Sequence, residues 1–139
     1  MGVLADFYVS TEAEAPLYDE RQELPETDVA SYNMVTPLEL SMLWAILQGR
    51  EWQVEMLNEF QCLLQRDGGE RLIHRFPDAM VGLLAVTTDD VVAQVAPRWA
   101  AIEELCWPPA AALPVLRDLR RLAERARETG RSLYVWNCM

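Results

Sequence analysis

The residues best suited to chemistry are few: one histidine, His74, and three cysteines, Cys62, Cys106 and Cys138. Cys62 and His74 flank Asp67-Gly68-Gly69, a tripeptide that supplies the positive φ angles of a tight turn. A hairpin closed there sets Cys62 opposite His74, where the two can share a proton or a metal ion. A thiol beside an imidazole is a nucleophile in the right setting, but a cross-strand pair needs no such role. Structural zinc wants four nitrogen or sulfur ligands, and a lone histidine with scattered cysteines leaves that set short. No Cys-x-x-Cys, Gly-x-Ser-x-Gly or Ser-x-x-Lys spacing occurs, and no glycine-rich phosphate loop. The residues therefore predict no metal, no cofactor and no catalytic group.

Carboxylates come in pairs at Asp19-Glu20, Asp89-Asp90 and Glu103-Glu104. Acid–base work needs two carboxylates in different environments, one of them desolvated. Asp89-Asp90 follows Thr87-Thr88 and reads as a helix start, with acids at the positive end of the dipole. Glu103 follows Trp99 by one helical turn. A glutamate held against an indole has a raised pKa, while a solvated helix face accounts for it without chemistry. One function class follows from these residues. It is a small enzyme or ligand binder with a pocket between sheet and helices, built from Cys62, His74, Trp99 and Glu103.

Charge points to a different class. The formal net charge is −10, with twelve carboxylates and two arginines in residues 1–60 and ten of each in residues 61–139. Such a field repels nucleic acid and anionic membrane and attracts basic surfaces. Glu12, Glu14, Asp19, Glu20, Glu23, Glu26 and Asp28 crowd residues 10–28, which read as a mobile acidic surface loop. Tyr18, Tyr32, Trp44 and Trp52 are aromatic anchors in the same half. Arg117, Arg120, Arg121, Arg125, Arg127 and Arg131 interleave with Asp118, Glu124 and Glu128. That is a mixed face or an internal partner for the acidic loop, not a nucleic-acid stripe.

The elements that must position these groups form one domain over residues 1–139. Residues 3–9 and 132–138 read as strands, and residues 29–35 as a short strand or an extended approach to a helix. Thr36-Pro37-Leu38-Glu39 is a capping box opening a helix that stops at Gly49, with Leu40, Leu43, Trp44 and Leu47 on its buried face. A shorter helix is expected over 50–57. Residues 59–76 form the hairpin, against a competing longer helix through 53–65. Further helices are expected from Pro77 to about Ala85, from Thr88 to about Cys106, and from about Ala110 to Thr129. In the second of these, Val92, Val95, Trp99, Ile102 and Cys106 face inward. The fold class is α+β: a small, mainly antiparallel sheet containing both termini, covered by four to five helices.

The opening Met1-Gly2-Val3-Leu4-Ala5-Asp6-Phe7, the Thr36-Pro37 helix start, Arg98-Trp99 with Glu103-Glu104, and the closing Leu133-Tyr134-Val135-Trp136 together resemble a group of small uncharacterised bacterial proteins. The resemblance implies no activity, ligand or site.

Unclustered cysteines, odd in number, fit a reducing compartment. No secretory signal is visible, and the longest apolar stretches fall short of the ~20 residues of a membrane span. The expectation is a cytoplasmic monomer or homodimer without nucleic-acid or membrane partners. It is a non-enzymatic acidic module that meets a basic protein through Glu12, Glu14, Asp19, Glu20, Glu23, Glu26, Asp28 and Trp52, in the manner of an immunity-type inhibitor of a basic toxin.

Overall fold

Strand-forming residues at the two ends of the chain pair with each other. Leu4–Ser10 (β1) and Ser132–Cys138 (β5) run antiparallel, from Leu4 opposite Cys138 to Ser10 opposite Ser132. The computed structural model describes residues 2–20 and 23–139. Val29–Asn33 (β2) flanks β1, while Arg71–Arg75 (β4) flanks β5 and carries Gln61–Arg66 (β3) on its far side. The result is a five-stranded antiparallel sheet of order β2-β1-β5-β4-β3, the α+β architecture that the sequence pattern predicts. The hairpin between β3 and β4 prevails over the longer helix. Asp67, Gly68 and Gly69 take φ angles of 53°, 69° and 98°, a left-handed run that two glycines make accessible.

Partnered residues share a face of the sheet. One row holds Phe7, Val135, His74 and Cys62; a row on the opposite face holds Asp6, Trp136 and Ile73. Among the described residues, five α-helices accompany the sheet: Pro37–Gln48 (α1), Val54–Asn58 (α2), Asp78–Ala85 (α3), Asp89–Ala100 (α4) and Pro109–Glu128 (α5). They bury the first face. Leu116, Leu119 and Ala123 of α5 join Phe7, Val9, Leu133 and Val135 in one continuous core with Leu40, Leu43 and Trp99. The capping box of α1 forms: Thr36 Oγ1 accepts the Leu38 N–H, and the Glu39 carboxylate accepts the Thr36 N–H.

Two expectations about local structure change. The helix expected to run to Cys106 ends at Ala100, and Cys106 is exposed at φ 47° rather than buried. The turn places Leu105 in the core and sets Trp107 edge-on to Trp99 at 5.9 Å, a larger apolar gain than burying Cys106. Residues 10–28, read as a loop, contain two 3₁₀ helices, Ala15–Glu20 and Glu26–Asp28. The first exists because the second sheet face needs cover: Ala15 and Tyr18 pack over Tyr8, Ile73 and Tyr134. The Tyr8 hydroxyl also donates to the Ala15 carbonyl at 2.7 Å. Among the described residues, no helix is long and apolar enough to cross a membrane.

Candidate functional site

The outer sheet face and the first 3₁₀ helix build a site from Tyr18 and Asp19. Tyr18 stacks on Tyr8 with ring centroids 4.3 Å apart and meets Trp136 edge-on at 6.1 Å. Its hydroxyl donates to Asp6 Oδ2 at 2.7 Å. Burial first, and then the Asp6 carboxylate, push the Tyr18 pKa far above the ordinary phenol range, so the group stays a neutral donor. Asp6 lies on the same sheet row as Trp136, which is why the strand register brings the two together.

Asp19 is the fixed point beneath them. Its side chain is fully buried; Oδ1 accepts the Trp136 indole N–H at 2.9 Å, and Oδ2 lies 3.3 Å from guanidinium nitrogens of both Arg66 and Arg71. Arg71 reaches Asp67 as well, at 2.9 Å. A buried carboxylate persists as an ion only with such pairing. Asp6, Tyr18, Asp19, Glu23, Arg71, Trp136 and Cys138 line a cleft of about 470 Å³. Asp19 is matched by arginine there. Asp6 and Glu23 have no arginine partner among the described residues. The cleft therefore joins aromatic surface to carboxylates that no described arginine neutralises, a combination chemically suited to a guanidinium or ammonium group.

The acidic residues named from sequence divide into two groups. Glu12, Glu14, Glu20, Glu23 and Glu26 are exposed; among the described residues, Glu20 alone of these approaches an arginine, Arg66, at 3.8 Å. Asp19 and Asp28 lie inside instead of on the outer surface, because arginines from the back half of the chain reach them. Asp28 receives Arg125 Nε at 2.9 Å and Arg131 at 3.2 Å. Burial pushes the Asp28 carboxyl up, but hydrogen bonds from Arg131, Arg125 and Thr27 outweigh it and hold the pKa below the usual range. Trp52 is 36% exposed and donates its indole N–H to Ser41 Oγ at 2.8 Å.

The second set, Cys62, His74, Trp99 and Glu103, is placed differently. Cys62 and His74 are cross-strand partners, as the turn predicts. The Cys62 thiol nevertheless donates to the Leu64 carbonyl at 3.4 Å, and His74 Nδ1 is buried with no hydrogen-bond partner among the described residues. Burial pushes the His74 pKa down. Trp99 is sealed in the core, with its indole N–H on the Glu39 carbonyl at 2.9 Å. The helical spacing that set Glu103 against Trp99 stops at Ala100, and Glu103 is exposed in the turn beyond. None of these four residues lines any of five clefts on the described surface, the aromatic cleft among them. Among the described residues, no three His, Cys, Asp or Glu side chains gather as a metal set.

Sequence reasoning did not select Asp6, Arg71 or Trp136 as site residues. The available signal was Asp6 itself, a lone acid inside an otherwise apolar and aromatic strand. No protein-family model matches the chain, and neither a curated protein nor a solved structure does.

Proposed function

We propose that the protein is a non-enzymatic binding module for a basic protein, and that the cleft of Asp6, Tyr18, Glu23 and Trp136 takes an arginine or lysine side chain of that partner. The observation that supports this reading is the pairing of two carboxylates that have no arginine partner among the described residues with two aromatic rings in one cleft of about 470 Å³. A cation placed over such a ring gains about 0.5–2 kcal/mol beyond its ion pairs. Exposed Glu12, Glu14, Glu20 and Glu26 add the long-range attraction that speeds encounter and selects a basic surface. A small inhibitor of a basic toxin, of the immunity type, is the form of module that this charge pattern suits.

Titration calorimetry with an acetylated, amidated tetra-arginine peptide tests the reading. Asp6→Asn with Glu23→Gln removes two charges inside the cleft; Glu12→Gln with Glu14→Gln removes two outside it. The first pair is expected to weaken binding by about tenfold or more, and the second by about threefold or less. Equal losses from the two pairs, or affinity indifferent to salt, contradict the reading.

A further inference from the structure

A second cleft lies where α1, α2 and α3 meet, on the helical side of the molecule. Trp44, Gln48, Arg50, Gln53, Glu55, Met56, Glu59 and Ala79 line about 410 Å³ there. Trp44 is 4% exposed, and its indole nitrogen has no hydrogen-bond partner among the described residues. Three other tryptophans do have acceptors: Trp52 on Ser41, Trp99 on the Glu39 carbonyl and Trp136 on Asp19. An indole N–H only donates, and leaving one buried and unmatched is costly, so Trp44 marks a place for an acceptor atom.

The charges around it specify the rest of the ligand. Arg50 is exposed and has no carboxylate partner among the described residues; Glu55 and Glu59 are exposed and have no arginine partner there. Both signs of charge therefore stand unmatched by described residues around one cleft, whose lining also holds the amides of Gln48 and Gln53 and apolar Met56. A carboxylate suits the donor pair of the Trp44 N–H and Arg50. An ammonium or guanidinium suits Glu55 and Glu59. The lining carries two carboxylates against one guanidinium, which favours a ligand with one surplus positive charge. The volume lies at the small end of the range for small-molecule sites.

We infer that this cleft is a binding site for a small basic zwitterion of the amino-acid class, such as free arginine or lysine, with its carboxylate on Trp44 and Arg50 and its cationic groups on Glu55 and Glu59. The site is separate from the aromatic cleft on the outer sheet face and does not depend on it, because the peptide probe used there has no free carboxylate.

The test follows the tryptophan indole N–H signals by NMR while L-arginine, agmatine or L-glutamate is added to the full chain; Trp44→Phe identifies the Trp44 signal. L-arginine is expected to move that signal and to saturate it in the low millimolar range or below, about −4 kcal/mol or tighter. Agmatine, which lacks the carboxylate, and glutamate, which reverses the surplus charge, are each expected to bind about tenfold more weakly. Arg50→Gln changes an exposed side chain, leaves Trp44 in place, and is expected to weaken arginine about fivefold while leaving agmatine unchanged. A Trp44 signal that stays still, or one that responds equally to arginine and agmatine, overturns the inference.

Discussion

Asp28 shows how a single carboxylate becomes structural. It is 5% exposed, and the guanidinium groups of Arg125 and Arg131, with the Thr27 hydroxyl, make its burial tolerable. Replacing it with asparagine keeps the size and removes the charge, leaving two arginines without their anion. Asp28→Asn is expected to lower unfolding free energy by about 2 kcal/mol at pH 7, read by urea denaturation. The pH dependence has a definite sign. The folded-state pKa lies below the unfolded one, so the contribution is complete above the ordinary aspartate pKa of about 3.9 and disappears as pH falls through the folded value. The variant is expected to show a flatter acid limb; an unchanged limb contradicts the role. At this scale the sequence was a weak guide. Asp19 and Asp28 look like their neighbours Glu20 and Glu26, and only the tertiary arrival of Arg66, Arg71, Arg125 and Arg131 separates buried from exposed.

Elements were far more legible, for local reasons. The Thr36 capping box, the left-handed Asp67–Gly69 turn and the β-branched and aromatic residues at both termini act within a few residues of themselves, so their reading needs no knowledge of the fold. Thr36→Ala is expected to cost about 1 kcal/mol of stability, and Glu39→Gln less, since glutamine still reaches back to the Thr36 N–H. Thermal denaturation checks this, and a neutral Thr36→Ala contradicts it. Two elements escaped local reading. The α4 terminus is set by the packing of Leu105 and Trp107, and the Ala15–Glu20 helix by a sheet face that needs Tyr18. Arg121 adds a further tertiary device. It donates to the carbonyls of Glu26, Thr27 and Val29, tying α5 to the second 3₁₀ helix and to the first residue of the edge strand β2.

At the scale of the whole molecule, the charge asymmetry survives folding in altered form. Back-half arginines neutralise aspartates, at Asp19 and Asp28 in the front half and at Asp67, Asp78, Asp89 and Asp118 in the back. Apart from Glu39, which is buried in the α1 capping box, the described glutamates of the front half are left outside, and with Asp6 they supply a negative field. The candidate cleft was illegible because it joins Asp6 of β1, Glu23 of the acidic segment and Trp136 of β5, residues that come together only when the two ends of the chain pair. The most direct measurement is a backbone and indole ¹H–¹⁵N NMR titration of the protein with the acetylated, amidated tetra-arginine peptide. Shifts centred on Tyr18, Glu23, Cys138 and the Trp136 indole are the predicted result. Shifts spread evenly over the exposed glutamates, with those four sites unmoved, would contradict a cleft that selects a cation.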